Sequence, residues 1–289
     1  MMNKLQHKTI IVAFSGGLTS ATMAAILKQH YAAHNELHFV FYNTGLESEE
    51  TLKFVDLCDS YFNLNLTWLE SYISPVPGKA VTVKKVNYIT AARNGEPFES
   101  GIKKYGLPNS VNPWCSRRLK SDLVRKWAVQ NKIRKYYTAI GIRADELDRI
   151  NPDYKTKHLF YPLAFEFPMD KRKVYEFWQK QPFTLGLKSY EGNCTLCFKK
   201  SRRKLLTLIS EAPERCQWYH DVEYKYKGLN NHVSMYRNRE SILNLWRASF
   251  QPFKKAICDN YQFSHNPTLF ENEEDTPNGC EESCTGFDT

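Results

Sequence analysis

Residues 8–20 read Lys-Thr-Ile-Ile-Val-Ala-Phe-Ser-Gly-Gly-Leu-Thr-Ser, and this stretch decides the fold. The apolar run from Lys8 to Phe14 predicts a buried strand, and Ser15-Gly16-Gly17 predicts a tight turn. A helix is expected from Thr19 to Gln29, because apolar side chains recur there at helical spacing. A strand, a turn and a helix in this order open a βαβ unit.

The same alternation continues through the first half of the chain. Strands are expected at 37–42 and 64–70, with a helix at 49–62 between them. The order βαβαβ predicts a parallel sheet with right-handed crossovers. Further strands are expected at 81–83 and 136–141, and further helices at 97–105, 117–130, 171–179 and 202–222. The predicted fold class is therefore α/β, with a Rossmann-like parallel sheet in residues 1–170 and a smaller, mainly helical C-terminal region in residues 171–289.

The turn after the first strand has the chemistry of a phosphate-binding loop. Its two glycines let an anion approach the backbone, and the following helix directs free N–H groups and its positive dipole end at that anion. The hydroxyls of Ser15, Thr19 and Ser20 are further donors. The loop lacks the Gly-Lys-Ser/Thr of the Walker A motif and the G-x-G-x-x-G of dinucleotide-binding folds. The expected anion-binding residues are Ser15, Gly16, Gly17, Leu18, Thr19 and Ser20.

Charge is divided unevenly along the 289 residues. The chain has 40 Lys and Arg against 31 Asp and Glu, but residues 271–289 hold seven acids and no Lys or Arg, so the rest carries 40 − 24 = +16. Such a basic body is either a set of solvated helix faces or a surface for phosphate-bearing ligands or a nucleic acid. An apolar content of 42% excludes a fibre and a wholly disordered chain. Without a long apolar run or a signal peptide, we expect a cytoplasmic protein with no membrane partner.

The eight cysteines fall into two groups. In a reducing cytosol disulfides are disfavoured, so three of them are expected to be buried thiols: Cys58, Cys216 and Cys258. The others are arranged as C-x-x-C (Cys194 and Cys197), as C-x-x-x-C (Cys280 and Cys284) and as a single thiol before a cationic run (Cys115). Spacing alone leaves open a zinc knuckle, a redox pair or part of an iron–sulfur site.

Five segments carry a resemblance to a known family, and they occur in the family's order. They are Ser15–Ser20, Asn43–Glu47, Trp114–Lys120, Gly141–Arg149 and Gly192–Cys197. They resemble, in turn, the S-G-G-x-D-S pyrophosphate loop, the D-T-G segment, the C-C-x-x-R-K segment, the G-x-R-x-x-E segment and the later C-x-x-C of the phosphoadenosine phosphosulfate reductase family. That family lies within the adenine nucleotide α-hydrolase (PP-loop) superfamily, and the nearest resemblance is to the reductase-like proteins of phages and bacteria.

The resemblance implies an adenine nucleotide site. ATP, phosphoadenosine phosphosulfate or adenylyl sulfate would bind at the loop Ser15–Ser20. Arg143 would hold the terminal phosphate or sulfate. The residues expected beside the nucleotide are Asn43, Thr44, Gly45 and Gly141. The chain departs from the family pattern because Thr19 replaces the loop aspartate, Cys115 is single, and no Glu-Cys-Gly-x-His tail is present.

A four-thiolate cofactor is the second implication. Cys115, Cys194 and Cys197 would supply three ligands, and Cys284 or Cys280 the fourth. Zinc also takes four thiolates, so ligand count alone does not separate the two metals. The resemblance of the Cys115 segment to iron–sulfur reductases favours a [4Fe–4S] cluster. Cys280 or Cys284 could instead act catalytically, as a mobile nucleophile or persulfide carrier.

Three functions follow as hypotheses. The first is an adenine-nucleotide-dependent enzyme of sulfur metabolism, similar to sulfonucleotide reductases, with the cluster beside the nucleotide. The second is ATP-dependent sulfur transfer to a nucleic acid, by thiolation or phosphorothioation. The third is a non-catalytic nucleotide- or nucleic-acid-binding module with a structural cluster. The expected partners are an adenine nucleotide, a thiol or persulfide donor protein and, in the second case, a nucleic acid; the oligomeric state stays open.

Overall fold

The structure is a computed structural model that describes residues 5–258, apart from residues 77, 80, 193 and 232. Cys280 and Cys284, which the sequence suggests as catalytic residues or as the fourth cluster ligand, lie outside the described residues. Both proposed roles of these two thiols therefore stay predictions.

A mostly parallel six-stranded sheet forms the centre of the molecule, which confirms the predicted α/β class. The strand order is β4-β3-β2-β1-β5-β6, and only the pairing of β3 with β4 is antiparallel. The strands are β1 (Thr9–Phe14), β2 (Glu36–Asn43), β3 (Thr67–Ile73), β4 (Val81–Val86), β5 (Tyr137–Ala139) and β6 (Leu159–Phe160). The chain runs outward from β1 to β4 and then returns to the other side of β1 with β5. This reversal places a ligand-binding switch point between β1 and β5.

Helices cover the sheet and continue into the C-terminal part. Those of the first half are α1 (Leu18–Tyr31), α2 (Glu49–Phe62), α3 (Glu96–Tyr105), α4 (Trp114–Ser116) and α5 (Asp122–Gln130). The later ones are α6 (Pro162–Phe165), α7 (Lys171–Gln179), α8 (Arg202–Glu211), α9 (Cys216–Tyr226) and α10 (Ile242–Ala248). A π-helical turn, Arg117–Ser121, joins α4 to α5. Within the described residues, no helix combines the length and the apolar character needed to cross a membrane.

Strand β1 is buried on both faces, which explains why its sequence is continuously apolar. Ile10 and Val12 pack on one side with α1, α2 and α7. Ile11 and Ala13 pack on the other side with α5. The helix that follows β1 is therefore fixed over one face of the sheet, and its first turn lies at the carboxyl end of the strand.

Helix α7 belongs to the core that lies under α1. Val174 and Trp178 are buried there, and the indole N–H of Trp178 donates to the carbonyl of Leu18 at 3.1 Å and to Oγ1 of Thr22 at 2.9 Å. This core thus crosses residue 170, where the sequence suggests a domain boundary. The two hydrogen bonds of the Trp178 indole also stabilise the first turn of α1 against α7.

A second core joins the C-terminal helices to α3 and α4. Phe98 and Trp114 pack against side chains of α8 and α9. The buried Glu223 carboxylate in α9 accepts the backbone N–H of Met235 at 3.1 Å and of Ile242 at 2.7 Å, which attaches α10 to this core. Burial raises the pKa of the Glu223 carboxyl.

Several boundaries differ from the expected ones for local reasons. The strand expected at 64–70 is found at Thr67–Ile73, because Asn63 and Asn65 take left-handed conformations that extend the preceding turn. The helix expected over 202–222 is interrupted at Pro213, which cannot donate a backbone N–H. Helix α10 lies in a region whose sequence pattern predicts no helix. Trp246 on α10 is 36% exposed.

Replacing Trp178 with Phe tests the contact between α7 and α1. The substitution keeps an aromatic ring, but it removes the indole N–H that donates to the buried Leu18 carbonyl and Thr22 hydroxyl, and the smaller ring leaves space unfilled. We therefore expect the free energy of unfolding to fall by about 1–3 kcal/mol. Urea denaturation measures this loss. Trp246→Phe, at a more exposed position, is the matched control and should change stability by less than about 0.5 kcal/mol. Equal effects of the two substitutions would contradict this account of α7.

Candidate functional site

The loops that follow β1, β2 and β5 meet at one edge of the sheet, because these strands are parallel. Their backbones are in close contact. A Cβ added to Gly16 would lie 2.6 Å from Cγ2 of Thr51, at the start of α2. A Cβ added to Gly141 would lie 3.1 Å from the Cα of Ser20. The glycines of the first and third loops are thus required for this convergence.

Internal hydrogen bonds shape the loop after β1. Gly16 has a φ of +86°, a left-handed conformation that favours glycine. The hydroxyl of Ser20 donates to the Gly17 carbonyl at 2.9 Å and accepts the N–H and hydroxyl of Ser15 at 3.1 and 3.0 Å. The expected phosphate donors Ser15 and Ser20 therefore use their hydroxyl hydrogens within the loop.

The backbone at the start of α1 supplies the anion-binding chemistry of this loop. The helix begins at Leu18 after Gly17, has no side-chain cap and has no acidic residue in its first turn. An uncapped helix N-terminus presents N–H groups and a positive dipole end to an anion. The backbone at the start of α1, rather than the hydroxyls of Ser15 and Ser20, therefore offers the donors for an anion in this loop, and phosphate binding stays a prediction.

Arg143, which follows β5, reaches this loop. Its Nη1 lies 3.5 Å from Oγ1 of Thr19. Its side chain is buried and is also held by Asp145, at 2.9 Å from Nε, and by Glu146, at 3.5 Å from Nη2. The arginine therefore lies where the resemblance implies, but two carboxylates compensate its charge.

The segment after β2 is held mainly by its own polar groups. The buried Asn43 amide donates to Oε1 of Glu70 at 2.7 Å and to the carbonyl of Ala92 at 2.8 Å, while its Oδ1 accepts the N–H of Gly45 at 3.0 Å. The N–H and the hydroxyl of Thr44 bind the Glu47 carboxylate. Asn43 thus fixes the shape of the loop that was expected to lie beside the nucleotide.

Three of the predicted ligand thiols line one small cavity, which we call the thiol pocket. Cys115 at the start of α4 and Cys194 and Cys197 of the C-x-x-C segment form its wall together with Lys120 and Lys199. Cysteines separated by about 80 residues in sequence therefore meet in space, as predicted. All six described cysteines are free thiols.

Hydrogen bonds attach the C-x-x-C segment to the loop after β2. The N–H and the hydroxyl of Thr195 both donate to the carbonyl of Leu46, at 3.1 Å each. Oγ1 of Thr44 lies 3.4 Å from Sγ of Cys194. From the other side, the hydroxyl of Tyr219 accepts the N–H of Leu196 at 3.0 Å. The thiol pocket therefore lies at the same edge of the sheet as the phosphate loop.

The electrostatics of the thiol pocket involve Glu47 and Lys120, two residues of the resembling segments to which the sequence analysis gives no role. Burial raises the pKa of the Cys194 thiol, and the charge of Glu47 raises it further. Burial also raises the pKa of the Glu47 carboxyl. The buried Lys120 ammonium acts in the opposite direction on both groups. The π-helical turn that contains Lys120 is a local signal of a functional segment, although the sequence pattern did not reveal it.

Of the cations next to these cysteines in sequence, only some reach the thiol pocket. Arg117 and Arg118 bind Asp122 instead, at 3.5 and 2.8 Å. Lys200 donates to backbone carbonyls of its own segment, including that of Tyr190 at 2.9 Å. Lys199 does line the pocket and donates to Oγ of Ser116 at 3.1 Å.

The donor set fits a thiophilic metal or cluster in its chemistry, because soft thiolate ligands select zinc, copper(I) or iron–sulfur clusters. Among residues 5–258 with the gaps given above, however, no three His, Cys, Asp or Glu side chains lie close enough to hold a metal ion as arranged. The three thiols therefore share a pocket without forming a closed metal site, and the four-ligand cluster stays a proposal.

Comparison with known proteins identifies a family. No model of a known protein family matches the chain. The uncharacterized nin region protein ORF290 of Escherichia phage lambda is 30% identical over 282 residues, which cover 96% of this chain and 94% of that protein. The chain belongs to the family of this phage protein. Membership of the phosphoadenosine phosphosulfate reductase family stays a prediction.

Two further similarities are weaker than that to the ORF290 family. The uncharacterized protein MJ0066 of Methanocaldococcus jannaschii is 30% identical over 140 residues, 48% of this chain and 24% of that protein. Among solved structures, the U34-tRNA thiolase NcsA from Methanococcus maripaludis with its [4Fe–4S] cluster is 13% identical, with a TM-score of 0.34 over 85% of this chain and 72% of that one. At this TM-score the likeness carries no argument about function.

Substitution of Gly16 tests the anion-binding loop. In Gly16→Ala the new Cβ meets Thr51 at 2.6 Å and the loop must shift, so we expect pyrophosphate to bind at least about tenfold more weakly, a loss of about 1.4 kcal/mol. Isothermal titration calorimetry measures this affinity. Gly78→Ala is the matched control, since Gly78 also has a positive φ (+78°) but nothing within 4 Å of an added Cβ. Unchanged pyrophosphate affinity in Gly16→Ala would show that this loop does not bind the anion.

The reactivity of Cys194 tests the electrostatics of the thiol pocket. The thiolate is the reactive form, so a raised pKa slows alkylation at a fixed pH and moves the rate profile to higher pH. Glu47→Gln removes one cause of the raised pKa, and we expect its profile to move to lower pH. Mass spectrometry after timed iodoacetamide labelling of Cys194 measures this shift. Glu50→Gln, at an exposed position in α2, should leave the profile unchanged; a shift to higher pH in Glu47→Gln would contradict the account.

Proposed function

We propose that this protein is an adenine-nucleotide-dependent sulfur-transfer enzyme that acts on a nucleic acid. One observation carries the proposal: the thiol pocket is attached to the loop after β2, at the same edge of the sheet as the phosphate loop after β1. A nucleotide that places its phosphates on the start of α1 would thus have sulfur ligands close to its reacting end.

The loop would hold the nucleotide mainly through its backbone. Amides at the start of α1 would bind the phosphates, while Ser15 and Ser20 keep the loop in shape by their mutual hydrogen bonds. ATP bound in this way would adenylylate an oxygen of the acceptor and release pyrophosphate. The terminal sulfur of a persulfide donor would then displace AMP and join donor and acceptor by a disulfide. A thiol reductant would cleave this S–S bond, which leaves the sulfur on the acceptor and releases the donor as a disulfide with the reductant.

The thiol pocket would hold the cofactor. Cys115, Cys194 and Cys197 would be three of its ligands, and Lys120 and Lys199 would offset its negative charge. A [4Fe–4S] cluster on these thiols would supply a metal position at which sulfur binds and is oriented. The hydrogen bonds from Thr195 to Leu46 would keep these ligands at a fixed distance from the nucleotide.

The charge of the chain favours a nucleic acid as the acceptor. Arg143 is paired with Asp145 and Glu146, a state that fits ATP and a sulfonucleotide equally. The +16 charge of residues 1–270, in contrast, suits the polyanionic backbone of a nucleic acid better than a small sulfonucleotide.

A turnover assay separates the three hypotheses. Protein purified without oxygen is incubated with ATP, a persulfide donor and mixed RNA and DNA, and the digested nucleosides are analysed by mass spectrometry. We expect ATP-dependent sulfur-containing nucleosides or phosphorothioates. Release of sulfite from phosphoadenosine phosphosulfate or adenylyl sulfate, with no sulfur in the nucleic acid, would identify a reductase. Binding of nucleotide with no turnover of either kind would identify a binding module.

Cysteine variants test the role of the thiol pocket in this reaction. Cys194→Ser should lower the rate of sulfur transfer at least about 100-fold. It removes a cofactor ligand, and the loss of a residue that only orients a ligand already costs about 10–100-fold. It should also lower the iron content measured after anaerobic purification. Cys258→Ser, outside the thiol pocket, is the control and should retain both activity and iron. Stoichiometric zinc in place of iron, lost in Cys194→Ser, would reassign the pocket as a structural zinc site.

A further inference from the structure

A second concave surface lies at the opposite edge of the sheet. It is an open groove of about 730 Å³ at the amino-terminal ends of β1, β5 and β6. We call it the basic groove, because its walls include five Lys and Arg side chains: Lys8, Arg125, Arg134, Lys135 and Lys157. The phosphate loop is at the carboxyl ends of the same strands, so the two sites are separate.

The charge of the basic groove is largely uncompensated. Its lining includes no Asp or Glu. Arg125 is paired with Asp122 at 3.3 Å, but in the described part of the chain no ion pair is found for the other four cations. Like charges gathered in a concave surface focus a positive potential, and they repel one another until an anion neutralises them. The groove is therefore suited to an anionic partner.

The arrangement fits an extended anion better than a single phosphate. The cations are exposed and lie on α5 and in the segments that precede β1, β5 and β6. These three neighbouring strands span about 10 Å. A site for one phosphate would instead bring several donors to one point. A nucleic acid carries one charge per nucleotide and would neutralise these cations one after another.

Aromatic rings in the same groove indicate that the bases of a bound nucleic acid are unpaired. Tyr136 and Tyr137 line it, and the ring of His158 lies 5.3 Å from that of Tyr137. Grooves that combine a cationic track with aromatic rings bind single strands, because bases stack on the rings while phosphates follow the cations. We infer that the basic groove binds a single-stranded stretch of a nucleic acid.

This inference deepens the proposed function and rests on it for the identity of the bound nucleic acid as the acceptor. The six residues of β1 cover about 20 Å. A folded RNA or an opened DNA is longer than this distance. One part of it could therefore lie in the basic groove while another part reaches the phosphate loop at the opposite edge.

Fluorescence anisotropy with a labelled single-stranded oligonucleotide and the full chain tests the groove. The variant Lys8→Gln, Arg134→Gln, Lys135→Gln, Lys157→Gln removes the four cations without an ion pair. We expect its affinity at 0.15 M salt to fall at least about tenfold. The slope of log affinity against log salt should fall in magnitude by about 3, since each phosphate contact on a single strand contributes about 0.7.

A control variant removes the same number of exposed cations from other surfaces. It carries Lys53→Gln, Lys85→Gln, Lys180→Gln and Lys254→Gln, and its net charge equals that of the groove variant. We expect it to keep the affinity and salt slope of the unaltered protein to within about twofold. Equal losses in the two variants would show general charge attraction and would overturn the inference. Circular dichroism and urea denaturation confirm that both variants are folded.

The inference about the basic groove and the proposed function can fail independently, and the experiments distinguish the two cases. If the groove variant keeps both sulfur transfer and its affinity for the oligonucleotide, the inference about the basic groove is wrong and the proposed function stands. If binding depends on the groove but no sulfur is transferred, the proposed function is wrong and the inference that the groove binds a single strand stands. Tighter binding to duplex than to single strands, or binding to vesicles of anionic phospholipid but not to the oligonucleotide, would also overturn the inference.

Discussion

The attachment of the C-x-x-C segment to the end of β2 is the contact on which the site depends. Thr195 binds the Leu46 carbonyl through both its N–H and its hydroxyl, and Thr44 contacts the sulfur of Cys194. Because β1 and β2 are parallel, these bonds place the thiols at the edge that also carries the phosphate loop. The second core packs the C-terminal helices against α3 and α4, and these hydrogen bonds then fix the C-x-x-C segment on the loop after β2.

The spacing of apolar residues and glycines predicted the elements that are formed by contacts between near neighbours in the sequence. The doubly buried β1, the loop Ser15–Ser20 and the helix Glu49–Phe62 all lie where the sequence suggests. Their residues are selected by contacts with near neighbours in sequence, and such contacts leave a periodic signal. The meeting of Cys115 with Cys194 and Cys197 was also predicted, but through the resemblance to a family and not through spacing.

Other features were beyond sequence reasoning because they depend on distant partners. An ion pair of Arg143 with its near neighbours Asp145 and Glu146 is one interpretation that the sequence allows, but its burial beside Thr19, 124 residues earlier in the chain, is evident only in the structure. Lys120 lines the thiol pocket from a π-helical turn, a conformation that the sequence pattern does not predict. The cations of the basic groove are scattered from Lys8 to Lys157, and only the order of β1, β5 and β6 brings them together.

The central claim is that the phosphate loop and the thiol pocket form one site. A crystal structure of the anaerobically purified protein with ATP tests it most directly. We expect the phosphates on the backbone amides at the start of α1, with a metal bound to Cys115, Cys194 and Cys197 on the same side of the sheet. A nucleotide bound away from Gly16 and Gly17, or a metal that engages these thiols on a different face from the nucleotide, would contradict the account.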